Sequence, residues 1–236
     1  MNKVISINEN IKDFNKTITV DGDKSLSIRW ALLASQATGK SKAYNLLMSE
    51  DILFTLKCLK KLGIKINLNK RYCEIIGNGI NGFNYKKNLI LNAGNSGTLG
   101  RLVLALLIRS PFKIKLIGDR SLSKRDFSRV IKPLKEFGAS FYPKNKSTLP
   151  IYIKGGKSIK PIKYYETKGS AQIKSCIMLA TLNAPGTTKI IALKSRNHTE
   201  ILFKYLKIPI KVKRKKKLTL IEIKKKDQIA SFNYNI

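Results

Sequence analysis

Carboxylates are what this sequence most conspicuously lacks. Its 236 residues carry 14 Asp and Glu against 47 Lys and Arg, a formal net charge of +33. A pair of carboxylates poised for general acid–base work is therefore hard to assemble, and none is apparent. Cysteine is equally thin: Cys58, Cys73 and Cys176 are scattered, odd in number and never in a CxxC pair. That pattern excludes a disulfide framework and a zinc site and fits a reduced, cytoplasmic protein. The single histidine, His198, reads as structural rather than catalytic. No apolar run reaches the length of a membrane span. The opening MNKVISINENIKDF has neither a signal-peptide hydrophobic region nor an Arg-rich transit character.

What is present begins with lysine. Of the 47 cations 38 are Lys and only 9 are Arg, spread along the whole chain together with much Ile and Asn, as an AT-biased genome would produce. Nucleic-acid readers favour Arg for bidentate contacts, so a basic nucleic-acid-binding module is the weaker reading of the charge. The stronger is a small polyanionic ligand, with the few arginines as the informative residues. The basic run KVKRKKK, 211 to 217, lies between two β-rich segments and reads as a solvated hairpin. At 43% hydrophobic, the chain can bury a sizeable core as one large domain or two small ones.

An internal repeat organises the apolar segments. KSLSIRWALLASQA, NSGTLGRLVLALLI and SAQIKSCIMLATLN each open on small polar residues, gain a cation and then run apolar. The cations Arg29, Arg101 and Lys174 stand 72 and 73 residues apart. A β-rich stretch follows each (KAYNLLM, FKIKLIG, TTKIIAL), and a second helix then starts in SEDILFTLKCLKKLG, SKRDFSRVIKPLKEFG and RNHTEILFKYLKIP. Gly63 and Gly138 fall at helix C-caps. Pairs of β-rich segments close each unit. The expected fold is α/β: three β-α-β-α-β-β units in one domain, with helices starting at Lys24, Asn95 and Ser170 buried in parallel and their N-termini on one face.

Helix N-termini carry free N–H groups and partial positive charge, so cations placed there ask for an anion. Five clusters fit: Lys24-Ser25-Arg29, Asn95-Ser96-Gly97-Thr98-Arg101, Arg120-Lys124-Arg125, Ser170-Ala171-Gln172-Lys174 and Ser195-Arg196. For the first cluster the competing reading is a solvated helix start capped by Asp23. Two motifs are decoys. ATGKS, 37 to 41, lacks the earlier glycine of a phosphate loop and follows a helix instead of opening one. GNGING, 77 to 82, matches GxGxxG but leads into FNYKKN, so it reads as a turn.

GDKSLSIR, NAGNSGT, GDRSLSKRDF, GSAQIKS and SRNHTE occur in this order, and the chain from about residue 18 resembles the EPSP synthase (3-phosphoshikimate 1-carboxyvinyltransferase) family. The resemblance implies the enolpyruvyl transferase fold, an inverse α/β barrel. It implies transfer of the enolpyruvyl group of phosphoenolpyruvate to the 5-hydroxyl of shikimate 3-phosphate with release of phosphate, on the way to chorismate and the aromatic amino acids. No metal, cofactor, nucleic acid or membrane is implied, and the protein is expected to be a monomer. By motif, Lys24 contacts both substrates. Ser25 and Arg29 hold the shikimate moiety, Arg29 through its carboxylate. Asn95, Gly97 and Arg125 bind phosphoenolpyruvate, and Gln172 faces both substrates. Ser170, Ala171, Ser195 and Arg196 cradle the 3-phosphate. Thr98 and Arg101 support them from behind. UDP-N-acetylglucosamine enolpyruvyl transferase has Lys-Asn in place of Lys24-Ser25 and a reactive Cys in the loop that reads GDRSLSKR here, so it fits less well. Family members continue beyond a stretch like SFNYNI into a second domain, so the chain resembles an N-terminal half. On that reading residues 1–18 form a strand of the second domain, 19–226 the three-repeat substrate-binding domain and 227–236 a crossover. Catalytic residues are then expected outside this half, and the half alone is expected to be inactive.

Overall fold

The computed structural model describes Ser6, Asn8, Asn15, Thr17, Ile18 and all residues from 20 to 236. Most of the 1–18 segment, expected as a strand, lies outside the described residues.

The first unit runs α1 (Lys24–Gln36), β1 (Ala37–Tyr44), α2 (Glu50–Lys61), β2 (Lys65–Leu68) and β3 (Tyr72–Asn78). The second runs β4 (Ile90–Asn92), α3 (Gly97–Leu106), β5 (Ile114–Ile117), the single turn α4 (Arg120–Ser123), α5 (Ser128–Phe137), β6 (Ser140–Tyr142) and β7 (Ile151–Lys154). The third runs β8 (Lys163–Glu166), α6 (Ala171–Thr181), β9 (Thr187–Leu193), α7 (His198–Tyr205), β10 (Ile210–Arg214) and β11 (Leu218–Lys224). Two short strands close the chain, β12 (Ile229–Ala230) and β13 (Asn233–Asn235).

Among the described residues the strands form three sheets of one plan. In the second sheet, order β4-β5-β7-β6, the first pair is parallel and the rest antiparallel, with Leu91 opposite Leu116 and Leu116 opposite Ile151. The third sheet, β8-β9-β11-β10, repeats this, with Tyr164 opposite Ile190. In the first sheet no parallel lead strand precedes the helix among the described residues. β12 and β13 supply it from the other end of the sequence, pairing parallel to β1 with Ala37 opposite Ile229 and Ala43 opposite Tyr234. Segment 227–236, expected as a crossover, thus completes the sheet of the first repeat.

One helix of each unit is nearly swallowed by the core. From Ser27 to Gln36 every residue of α1 is buried, and α3 and α6 are buried along almost their whole length. An all-round apolar helix has no stable place except inside. The sheets cover these helices with one face each: Thr219, Ile221 and Ile223 of β11 point inward and the intervening residues outward, the period-two pattern of a half-buried strand. Helices α2, α5 and α7 are amphipathic and pack outside.

Three boundaries differ from the sequence reading. Helix α3 begins at Gly97, not Asn95, because Ser96 caps it, its Oγ accepting from Leu99 N at 3.3 Å. The stretch SKRDFSRVIKPLKEFG is not one helix: Asp126 takes the Ser128 N–H at 2.9 Å and restarts the chain as α5, with Pro133 inside it. Strand β1 starts at Ala37 instead of Lys42, so the GKS of the decoy motif lies within a strand. GNGING leaves β3 as a turn, and KVKRKKK forms β10 and its hairpin turn.

Candidate anion-binding site

Asp23, Ser96 and Ser170 cap α1, α3 and α6 in the same way, each side chain accepting from the N–H three residues on: Leu26 at 2.7 Å, Leu99 at 3.3 Å and Ile173 at 3.4 Å. A capped start with its first turn free is the geometry that receives anions. Side-chain bonds draw the three starts together. Arg29 of α1 reaches Ser175 of α6 (Nη2 to Oγ, 2.9 Å) and Thr199 of α7 (Nε to Oγ1, 2.8 Å). Arg101 of α3 donates to Gln172 Oε1 of α6 at 3.0 Å, and Gln172 Nε2 returns a bond to Thr98 Oγ1 of α3 at 3.0 Å. The three N-terminal turns therefore share one face.

Arg29 is the most buried of the expected cationic ligands, 3% exposed. Besides Ser175 and Thr199 it donates to the Ser25 carbonyl at 3.0 Å. A guanidinium offers five N–H donors in a rigid fork, so donors remain for a carboxylate. Desolvation, and then repulsion from Arg196, lowers its pKa to about 10, against the pull of Glu200 and Asp23. It stays charged at neutral pH and stands in want of negative partners. Lys24, by contrast, is more than half exposed and pairs with Asp51 at 2.9 Å. Exposed pairs of this kind are worth little, so Lys24 can leave Asp51 for an arriving anion. Burial works against the Asp51 carboxylate, but hydrogen bonds from Ser96 and Lys24 and the field of Arg125 outweigh it and hold its pKa below the usual range.

In the second unit Asn95 donates to Asp119 at 2.6 Å, and Asp119 also accepts the Leu122 N–H at 2.6 Å. Gly97 sits under two guanidiniums: an added Cβ would lie 2.8 Å from Arg101 Nη1 and 3.1 Å from Arg125 Nη1. Arg101 is tied to the Gly97 and Asp126 carbonyls and to Gln172, and it stacks over Phe127 with 5.0 Å to the ring centroid. Desolvation, followed by repulsion from Arg125 and Arg129, lowers its pKa. Arg120, Lys124 and Arg125 border an open hollow beside Asp119. Gly94 is left-handed at φ +54°, but the space above it is filled by Phe54, whose ring lies 2.4 Å from an ideal Cβ.

In the third unit Lys174 differs from its repeat partners Arg29 and Arg101. It is 1% exposed and locked to Glu200 at 2.6 Å. Ser170 caps α6, Ala171 opens it, and Arg196 is exposed on the β9–α7 loop. Ser195 Oγ is buried without a partner, and the residue borders a cavity lined also by Lys174, Lys194, Asn197, Glu200, Arg214 and Thr219.

Sequence reasoning missed Asp51, Asp119, Ser175, Thr199, Glu200 and Arg214. Single carboxylates stand at the site, where the sequence makes no carboxylate pair apparent. Most are spoken for as caps or ion-pair partners, and a helix-start Asp that lies beside a foreign lysine is visible only in three dimensions. Cys58 and Cys73 are buried, which raises their thiols to about 11 and about 12. Among the described residues no group of three or more His, Cys, Asp or Glu could hold a metal, and no helix is long and apolar enough to cross a membrane.

Three repeats with capped helix starts and converging arginines define the class: a repeat-built α/β domain with one anion-receptive face. Matching the EPSP synthase (3-phosphoshikimate 1-carboxyvinyltransferase) family over residues 8–236, the chain belongs to that family. It is 39% identical over 200 residues to a 3-phosphoshikimate 1-carboxyvinyltransferase of Streptococcus pyogenes serotype M1, covering 84% of this chain and 46% of that protein. A protein of the same description from Vesicomyosocius okutanii is 45% identical over 191 residues, covering 80% and 43%. The solved EPSP synthase from Acinetobacter baumannii superposes with a TM-score of 0.84 at 34% identity, covering 93% of this chain and 49% of that one. The chain thus spans about half the length of the curated relatives it matches.

Proposed function

We propose that this chain provides the substrate-cradling face of an enolpyruvyl transfer from phosphoenolpyruvate to the 5-hydroxyl of shikimate 3-phosphate, in the cytoplasm, with release of phosphate. Both substrates join a phosphate to a carboxylate, and the convergence of three capped helix starts with Lys24, Arg29, Arg125 and Arg196 is the observation that carries the reading. In this arrangement Arg29, already held by Ser175 and Thr199, offers its free donors to the shikimate carboxylate. Ser25 flanks it, and Ser170, Ala171, Ser195 and Arg196 take the 3-phosphate. Asn95, Gly97 and Arg125 receive phosphoenolpyruvate. Lys24 and Gln172 stand between the two. Donors fixed before the ligand arrives stabilise developing charge without reorganising.

Calorimetric titration of shikimate 3-phosphate into the chain tests this. A charge-assisted hydrogen bond contributes about 1.5–3 kcal/mol, so Arg29→Ala should weaken binding roughly tenfold or more. Plain shikimate should bind more weakly still, lacking the phosphate contacts. Equal heats for Arg29→Ala and wild type, or equal affinity for shikimate and its 3-phosphate, would refute the assignment.

A further inference from the structure

One hollow, lined by no residue of the substrate cradle, is lined by lysines and by no carboxylate. It measures about 290 Å³ and lies between α5 and the β6–β7 loop. Helix α5 contributes Lys132 and Lys135, and the loop contributes Lys144 and Lys146. Like charges brought together repel, and Lys132 and Lys135, three residues apart, are neighbours on one face of the helix. The ordinary relief is an acidic partner. Among the described residues none of the four lysines forms an ion pair. Glu136, next to Lys135, does not line the hollow. Asp126 does not line it either, and its carboxylate is engaged by the N–H and hydroxyl of Ser128 and by the Ser147 side chain. The backbone that carries these cations is fixed. Phe127 N–H donates to the Ser147 carbonyl at 2.7 Å, which ties the loop to the start of α5, and Lys146 N–H donates to the Pro143 carbonyl at 3.2 Å. The side chains of Lys132, Lys135 and Lys144 are exposed and that of Lys146 is half-buried, so all four can turn to a ligand.

These groups specify what fits. An ammonium only donates, and the hydroxyls of Ser128 and Ser147, which also line the hollow, already bond Asp126. The ligand therefore accepts on every side. A single phosphate group brings about two negative charges, half of what four lysines call for. The hollow is about ten times the roughly 30 Å³ that one water molecule occupies in the liquid, so several tetrahedral groups fit. A chain of linked phosphates supplies the charge, the acceptors and the length to lie between the α5 pair and the loop pair. We propose that this hollow binds a linear polyphosphate chain, held by Lys132 and Lys135 on one side and by Lys144 and Lys146 on the other, apart from the substrate cradle.

The test titrates inorganic tripolyphosphate into the whole chain by calorimetry, at an ionic strength of about 0.15 M so that diffuse attraction is screened. Its tightest site should saturate. Orthophosphate should bind there at least about tenfold more weakly, because linked groups make the second contact intramolecular. Lys132→Ala combined with Lys144→Ala removes one cation from each side and should weaken tripolyphosphate about tenfold. Lys86→Ala combined with Lys87→Ala removes the same charge from the exposed β3–β4 connection and should leave the affinity within about twofold. Arg196→Ala, in the substrate cradle, should do the same. Adenosine triphosphate carries a like chain on a nucleoside: affinity equal to that of tripolyphosphate makes a nucleotide tail the ligand, weaker affinity makes it a free chain, and the site stands in either case. Equal losses in the two double variants would reduce the attraction to the net charge of +33 and overturn the proposal. So would the absence of saturable binding, equal affinity for orthophosphate, or loss of the site in Arg196→Ala, which would place the chain in the cradle.

Discussion

Gly97 shows how a single residue can carry a site. Glycine in the middle of a helix costs about 0.5–1 kcal/mol relative to Ala, and at the first position of α3 that figure is an upper bound on what replacement by Ala gains. Here the new methyl would meet Arg101 Nη1 at 2.8 Å and Arg125 Nη1 at 3.1 Å. A guanidinium end can usually swing away. Arg101 cannot do so freely, because three acceptors and the Phe127 ring hold it. Displacing it loses two or three bonds of about 0.5–1.5 kcal/mol each, which outweighs the propensity gain. Gly97→Ala should therefore destabilise by about 1 kcal/mol in chemical denaturation. The loss should vanish in an Arg101→Met background, where the helical gain alone remains; a penalty that persists there would show that Arg101 is not its cause. The sequence named Gly97 and Arg101 as members of one cluster. It could not show that they press on each other, nor that Arg29 is held from behind by Ser175 and Thr199, because those partners lie 146 and 170 residues away.

At the scale of the element, the legible features were those written locally. The starts read at Lys24, Asn95 and Ser170, with the apolar runs after them, fall at or within one or two residues of the observed starts of α1, α3 and α6. Alternating strands betray each closing hairpin. The lead strand of the first sheet was not legible, because β13 pairs with β1 across 191 residues and nothing in its own short sequence marks the partner. The ends of the second helices give a finer case. Each closes by the same two bonds, the second from the residue after the left-handed position to a carbonyl five back: Ile64 to Leu59 at 3.1 Å, Ala139 to Leu134 at 3.1 Å and Ile208 to Phe203 at 2.9 Å. This is a Schellman end, which wants glycine. Gly63 and Gly138 supply it at φ +86° and +118°, but the third repeat has Lys207 at φ +51°. A left-handed residue with a Cβ costs about 1–2 kcal/mol, and glycine's extra freedom in the unfolded chain gives back about 0.4–1. Lys207→Gly should thus raise stability by up to about 1 kcal/mol, visible as a higher denaturation midpoint with an unchanged slope. A lower midpoint would mean that the Lys207 side chain contributes more than its backbone costs.

For the whole molecule, the repeats carry cations both at the candidate anion-binding face and in their hairpin turns. The turns of the closing hairpins carry Lys70 and Arg71, Lys144 and Lys146, and Lys215 to Lys217. The last is bonded to the β9–α7 loop through Lys194 N and the Lys217 carbonyl at 3.3 Å. Such a face attracts polyanions, and positioning them can by itself lower a barrier substantially. Enolpyruvyl transfer also needs a proton delivered to carbon and one removed from a hydroxyl, and acid–base groups typically contribute about 10²–10⁴-fold. The carboxylates at this face are engaged otherwise: Asp23 and Asp119 cap helices, Asp51 meets Lys24, Asp126 holds the start of α5 and Glu200 holds Lys174. His198, which could in principle serve, has its pKa lowered by desolvation and by Arg29 and Arg196, against the pull of Asp23 and Glu200, and so is a poor proton donor at neutral pH. The face is also open to water, where each cation acts several-fold more weakly than in an enclosed site. We therefore expect the chain on its own to bind substrates without turning them over. A phosphate-release assay with phosphoenolpyruvate and shikimate 3-phosphate both present should stay at background. Turnover within about tenfold of the usual enzyme range of roughly 1–10³ s⁻¹ would mean that one of these engaged groups moves protons after all, and Asp51, freed whenever Lys24 turns to an anion, is the first whose replacement by Asn should then abolish the activity.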